Sequence, residues 1–426
     1  MQNGQHLVYL LFHGILDPWL TLQMLKCEYP PFLEWVAVES DSIQPDLRKE
    51  VIRIMALAAD RLVALGAIVN LVNLGSHQLP DGQDLPLPPV IIGKLVVEPQ
   101  NPTVTYGHVD VQPAKKEDDW KTDPYTLTEI NGNLYGHGAI DNKGPVLAWI
   151  NAVETFKALK LVVNFKFVIE GMEEARSLGL GKLLQEENQC FFSDVDYVVT
   201  LDSLWLSNKK PAFTYESEGN ACFFVDVECG SKYLHNGTSG GISHEPLMDL
   251  IALLGNNMHH CSGVTGEQRV ASLTEEESKL YEPIQFNLEE HKSNSGMKKF
   301  LYEILLHLCV FSKRSSPNKL KVSMPLGAKP WLADVNDPLY KAARRAIKTV
   351  FGEDPDFIWD GSTVPVARMF QTTMQKSVIM FSIGAADDGE CFQNEKISTL
   401  LSAAFFLEIY KLHRHLHEKS NTETNN

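Results

Sequence analysis

The chain has 426 residues, 44% of them hydrophobic and 22% charged, which is enough to bury two cores. A net charge of −16 and an isoelectric point near 5.3 exclude the basic stripe that phosphate backbones or anionic membranes require, so neither nucleic acid nor membrane is expected as a partner. Seven scattered cysteines without a C-x-x-C pair exclude a disulfide scaffold and a zinc ribbon.

The opening, MQNGQHLVYLLFHGILDPWL, has an apolar run broken by His13, no Lys or Arg before it and no small-residue cleavage site. It is a poor signal peptide, and the expectation from it is a cytoplasmic chain. No uncharged run approaches the roughly 18 apolar residues of a membrane span.

PDLRKEVIRIMALAADRLVALGA then sets Val51, Ile54, Met55, Ala58 and Leu62 at helical spacing, which predicts an amphipathic helix ending near Gly66. After the Pro-rich QLPDGQDLPLPPV come short β-branched runs with flanking turn residues: VIIGKLVVE, TVTYGHVD, VVNFKFVIEG and DYVVTLD. Each reads as a buried strand. GPVLAWINAVETFKALK and LGLGKLLQEENQCFF read as helices between them. Strands alternating with helices predict an α/β sheet buried between helices.

Beyond Ser207 the texture changes. AFTYESEGNACFFVDVE is antiparallel strand material, HEPLMDLIALLGNNM a helix, and Glu275 to Lys299 a charged, helix-prone stretch. KLKVSM is a further strand, DPLYKAARRAIKTVFG a helix, SVIMFSIGA a buried strand and ISTLLSAAFFLEIYKLH a closing helix. The expected architecture is an α/β domain with a buried mixed sheet, residues 30–207 and 361–418, interrupted by a smaller α+β insert at 208–360 and followed by a disordered tail at 419–426.

Chemistry-bearing residues collect at the ends of the predicted strands. TYGHVDV carries His108 and Asp110, VIEGMEEA carries Glu173 and Glu174, and VVTLDS carries Asp202. Asp141 sits in YGHGAIDNKG, after a Gly-x-Gly turn and before a helix. In open α/β sheets the carboxyl ends of strands line the ligand crevice, so these groups can converge. Any one acid alone is more simply a solvated group or a helix cap, Asp141 included; the set favours a site. Oxygen and imidazole donors suit zinc or manganese, and two ions a few ångströms apart need a carboxylate between them. In H-x-D, Asp110 can hold the other imidazole nitrogen of His108.

Competing signals are weaker. GLGK at Gly179–Lys182 lacks the spacing of a phosphate loop, and there is no G-x-S-x-G nucleophile elbow. His259-His260-Cys261 reads as a polar loop, and His413 with His417 as an exposed helix end.

YGHVDVQPA, GHGAIDNKGPVLAWINA, EGMEEA, GSTVPVA and GAADDG followed by QNEK resemble, in that order, the two-metal dipeptidases of the carnosinase and cytosolic non-specific dipeptidase family, over about Glu34 to His413. DNKGPVLAWINAV and GGISHEP resemble the carnosinase branch most. The resemblance implies that His108, Asp141 and Asp202 bind one divalent ion, with Asp141 bridging to a second held by Glu174; Cys391 stands where the family has its last ligand histidine, and a thiolate there would put zinc ahead of manganese. It implies Glu173 as the general base that takes a proton from a metal-bridging water and returns it to the leaving amine, with Asp110 orienting His108. It further implies that His235, from the partner subunit, stabilises the oxyanion, that Gly361 and Ser362 contact the carboxylate end of a small peptide substrate, and that the insert is both lid and homodimer surface. Kinship with the carnosinase branch also points to secretion, against the cytoplasmic reading of the opening.

The departures bear on activity. The family's last metal-ligand histidine is Cys391 here, the small residue after the paired glutamates is Arg176, the usual Arg of a G-R-G turn is His137, and a lid turn that usually carries Arg and Gly reads YESEGNA. Between Glu290 and Ser315 only His291 to Arg314 remain of a longer lid segment, and no arginine aligns with the family's substrate clamp. A thiolate can replace imidazole on zinc but adds negative charge, which predicts reduced turnover. The alternative function is a metal-binding or dimerisation paralogue without catalysis, which would keep metal and hydrolyse nothing.

Overall fold

The computed structural model describes residues 30–79, 82–96, 102–118, 120–130, 133–158, 164–206, 209–217, 220–228, 246–247, 249–251, 319–328, 330–360 and 365–386. In chain order a 3-10 turn (Pro45–Leu47) leads into α1 (Arg48–Leu65), followed by β1 (Ile68–Val72), β2 (Ser76–Gln78), β3 (Asp84–Pro86), β4 (Val90–Leu95) and β5 (Thr103–His108). Then come β6 (Thr128–Ile130), β7 (Asn133–Tyr135), α2 (Lys143–Ala158), β8 (Phe165–Glu170), α3 (Leu180–Glu187) and β9 (Tyr197–Thr200). The remainder is β10 (Ala212–Ser217), β11 (Asn220–Glu228), β12 (Lys319–Ala328), β13 (Trp331–Leu332), α4 (Pro338–Phe351), β14 (Asp356–Asp360), α5 (Pro365–Met374) and β15 (Ser377–Met380).

α1 forms as its periodicity predicts: Val51, Ile54, Met55, Ala58 and Leu62 are all buried. It stops at Gly66, whose φ of 92° lets its N–H return to the last carbonyls of the helix. α4 is held at its start by Asp337, whose side chain accepts the N–H of Leu339, and at its end by Gly352 in the left-handed region. α3 is shorter than LGLGKLLQEENQCFF suggests: it ends at Glu187, and turns occupy residues 188–194.

Nine strands form one mixed sheet in the order β1-β4-β8-β5-β9-β15-β10-β13, with β14 also paired to β10. Its centre, β8-β5-β9-β15, is parallel. β4 is antiparallel to β8 on one side and β10 antiparallel to β15 on the other. Every residue of β5, β8 and β9 is buried. Because successive side chains point to opposite faces, the sheet centre is covered on both, as its uninterrupted apolar runs require. β11 and β12 pair antiparallel in a separate two-stranded sheet.

β10, β13 and β14 belong to the large sheet, although an insert at 208–360 would contain them. AFTYES is a buried strand that pairs both with DFIWD and with β15, which draws both into the large sheet. The segment HEPLMDLIALLGNNM is described at 246–247 and 249–251, which are helical. The charged stretch Glu275 to Lys299, the closing helix and the tail lie outside the described residues. Among the described residues no helix is long and apolar enough to cross a membrane.

Candidate active site

The parallel centre of the sheet puts the carboxyl ends of β5, β8, β9 and β15 on one edge, and the candidate groups follow from that alignment. His108 ends β5, Glu173 and Glu174 follow β8, and Asp202 follows β9. Asp141 comes from the turn before α2, through a cis peptide to Asn142. α2 approaches β5 closely because residue 107 is glycine: a Cβ there would lie 2.5 Å from Val146 Cγ2 and 3.1 Å from Asn142 Oδ1. Asn142 Nδ2 donates to the Leu201 carbonyl at 2.8 Å, which fixes the Asp141 turn to the strand that delivers Asp202.

His108 is fully buried. Its Nε2 lies 3.0 Å from Asp141 Oδ1 and 4.0 Å from Asp202 Oδ1. One ligand atom from each of His108, Asp141 and Asp202 falls within 4.8 Å of the others. His108 Nε2 is buried and makes no hydrogen bond of acceptable geometry. An inward-facing imidazole nitrogen beside carboxylate oxygens is a donor set that fits a divalent cation such as zinc or manganese.

The opposite imidazole nitrogen, Nδ1, lies 3.2 Å from the Asp110 carbonyl and 3.3 Å from Asp110 Oδ1. Burial works to lower the His108 pKa, but contacts with Asp110 and Asp141 and the charges of Asp141 and Asp202 outweigh it, and the net direction is upward. Asp110, also fully buried, accepts the N–H of Glu173 at 3.2 Å on Oδ1 and that of Glu174 at 3.0 Å on Oδ2. One carboxylate thus ties the β5 imidazole to the paired glutamates after β8.

The glutamates sit in a field of like charge. Burial raises the Glu173 pKa well above the usual range, and Asp202 raises it further. Burial and Asp141 push Glu174 up to about 9, against a hydrogen bond from Gln112. Burial likewise lifts Glu170 to about 7, although Tyr106 donates to it at 2.7 Å. A cation bound among these carboxylates would favour their ionised forms.

Two contributors were not expected from the sequence. Gln112 Nε2 donates to Glu174, and the Gln112 carbonyl accepts from His137 Nε2 at 2.7 Å. His137, where the resemblance expects arginine, is buried with its ring edge-on to Trp120 and Tyr125. The signal for Gln112 was available, since residues 108, 110 and 112 are spaced by two in an extended run and share a face. Of the remaining sequence-derived candidates, His235, Gly361, Ser362 and Cys391 lie outside the described residues, as do His259, Cys261, His413 and His417. Ala386, at the end of the described chain, donates its N–H to the carbonyl of Trp205, three residues after Asp202, at 2.9 Å.

The profile of Peptidase family M20/M25/M40 matches residues 104–416. The beta-Ala-His dipeptidase of Rattus norvegicus is 49% identical over 453 aligned positions, which cover 89% of this chain and 92% of the relative. That alignment is longer than the 426-residue chain, so the relative carries internal segments without a counterpart here. The Cys-Gly metallodipeptidase of Schizosaccharomyces pombe is 32% identical over 85% of this chain and 90% of its own. Among solved structures, human carnosine dipeptidase 1 superposes with a TM-score of 0.81 at 45% identity, covering 92% of this chain and 98% of that one. The dipeptidase Dug1p of Saccharomyces cerevisiae gives 0.82 at 28% identity over 95% and 97%. The match across three quarters of the sequence, and relatives that align nearly end to end, establish that this chain belongs to peptidase family M20/M25/M40.

Proposed function

We propose that the chain hydrolyses dipeptides in a metal-dependent reaction at the carboxyl edge of its parallel strands. The observation that carries this reading is the convergence of His108, Asp141 and Asp202 on one cation-sized space beside Glu173 and Glu174. The dipeptidase relatives supply the substrate class: β-Ala-His for one branch, Cys-Gly for the other.

His108, Asp141 and Asp202 would hold one ion, and Glu174 with Cys391 a second that shares Asp141. When bound, the ions supply a Lewis acid and water of lowered pKa at neutral pH. Glu173 accepts a proton from the attacking water and returns it to the leaving amine. Asp110 keeps Glu173 and Glu174 in register with His108 through the two backbone amides. His235 of a partner subunit would stabilise the developing oxyanion, and Gly361 with Ser362 would receive the peptide's carboxylate end. A homodimer through the insert, drawn in to about 218–330 by the strands that join the large sheet, completes the proposal.

Thiolate at position 391 favours zinc over manganese. Metal content of wild type, Cys391→Ala and Cys391→His tests the ligand assignment, alongside turnover of β-Ala-His and Cys-Gly with each metal. Two ions per chain in wild type and Cys391→His but one in Cys391→Ala is the expected result. Identical content in all three removes Cys391 from the site.

A further inference from the structure

The carboxylate that links His108 to the paired glutamates is itself held by a residue far upstream. Ser42, buried, donates its hydroxyl to Asp110 Oδ2 at 2.6 Å. Asp110 Oδ2 therefore serves Ser42 and the Glu174 amide, while Oδ1 serves the Glu173 amide and faces His108 Nδ1. With donors on both oxygens from three separate chain segments, neither the plane nor the rotation of the carboxylate is free.

Ser42 is in turn fixed by its own segment. The Ser40 hydroxyl donates to the Val109 carbonyl at 2.8 Å, and the Ser40 carbonyl accepts the N–H of Val111 at 3.1 Å. Asp41 bridges to Val111 and folds the loop by accepting the amides of Ile43 and Gln44 at 2.9 and 3.1 Å. Arg48, buried at the start of α1, reaches the Ser42 carbonyl at 3.4 Å, and its other terminal nitrogen contacts the sulfur of Met172, the residue before Glu173. Residues 40–48 thus clasp both strand ends from behind, and they precede the matched family segment at 104–416.

We propose that Ser42 is a positioning residue for the hydrolytic reaction, acting through Asp110 to set the His108 imidazole and the Glu173–Glu174 pair; this rests on the metallodipeptidase reading above. Removing its hydroxyl takes one donor from a buried carboxylate whose remaining Oδ2 partner is a backbone amide on the loop being positioned. The carboxylate can then rotate, and the glutamates move with it. Substrate contacts are untouched, so the loss falls on the chemical step and not on substrate binding.

The test is a double-mutant cycle on the full chain loaded with Zn2+, comparing wild type, Ser42→Ala, Asp110→Asn and the double variant, with Ser42→Thr as the hydroxyl-retaining control. Partners of metal ligands typically contribute 10- to 100-fold, so Ser42→Ala should lower kcat about tenfold at unchanged KM. Ser42→Thr should restore most of that loss. Because residues that act in one network are not additive, adding Ser42→Ala to Asp110→Asn should cost no more than about twofold. Wild-type kcat in Ser42→Ala, or its full loss repeated on top of Asp110→Asn, overturns the proposal. Should Ser42→Ala fail to fold, Ser42→Cys, with a weak donor of similar size, takes its place in the cycle. If wild type turns over no dipeptide, the function reading fails on its own. The same cycle is then read as Zn2+ retention against a chelator: non-additive loss supports the positioning role, and additive or absent loss overturns it.

Discussion

Asp110 accepts the backbone N–H of Glu173 at 3.2 Å, which couples the strand that ends in His108 to the loop that carries Glu173 and Glu174. An amide at position 110 would turn a donor NH2 toward groups that need an acceptor. Asp110→Asn is expected to lose 10- to 100-fold in kcat/KM or metal affinity, while far-UV circular dichroism stays native. Steady-state kinetics with metal titration check this, and wild-type values in both would remove Asp110 from the account.

Gly107 allows α2 to lie against β5. Gly107→Ala places a methyl 2.5 Å from Val146 Cγ2, a clash that the Val146 side chain or α2 behind it must relieve. Overpacking of this kind costs about 1–3 kcal/mol. Urea unfolding should register that loss, and Val146→Ala in the same chain should recover much of it.

Arg176 occupies the left-handed region at φ 76°, two residues after the paired glutamates. A non-glycine residue there costs about 1–2 kcal/mol, partly offset because glycine gains more freedom when unfolded. Arg176→Gly is therefore expected to stabilise the fold by roughly 0.5–1 kcal/mol in a urea titration. Destabilisation would mean that the arginine side chain contributes more than its backbone costs.

Acid stability has a defined sign in the metal-free chain. Glu170 and Glu174 have folded pKa values raised from 4.5 to about 7 and about 9, so between these limits the folded state keeps protons that the unfolded chain has released. Metal-free stability should fall as pH rises from about 4.5 through 7 toward 9, because the native state binds the extra protons. A bound cation favours the ionised carboxylates, so the metal-loaded chain should lose less across the same window. Thermal unfolding against pH with chelator and with Zn2+ checks the difference in slope; parallel curves would contradict it.

The sheet centre and its acids were legible because apolar runs, β-branched residues and strand-terminal acids are local signals. TVTYGHVD, VVNFKFVIEG and DYVVTLD become β5, β8 and β9, and the carboxyl-edge rule predicts that the groups at their ends converge, while the grouping of His108 and Asp202 with Asp141, which no strand delivers, came from the family resemblance. The strand at Ile68–Val72 was not legible: it lies at the sheet edge with mixed exposure, so it lacks both the buried run and the alternation. A change in texture at Ser207 does not reveal that β10 pairs with β14 and β15, more than a hundred residues later. Ser42 had no signal at all. Its partner lies 68 residues away in sequence, and only the folded loop brings the hydroxyl to the carboxylate.

A metal-dependent hydrolytic site with Glu173 as its proton carrier is tested most directly by turnover of β-Ala-His and Cys-Gly by purified wild type and Glu173→Gln, each with its Zn2+ or Mn2+ content measured in the same sample. General acid–base groups contribute on the order of 10²- to 10⁴-fold, so Glu173→Gln should retain the metal and lose activity by that factor. Turnover by Glu173→Gln at the wild-type rate, or metal retained without turnover in either protein, would contradict the claim.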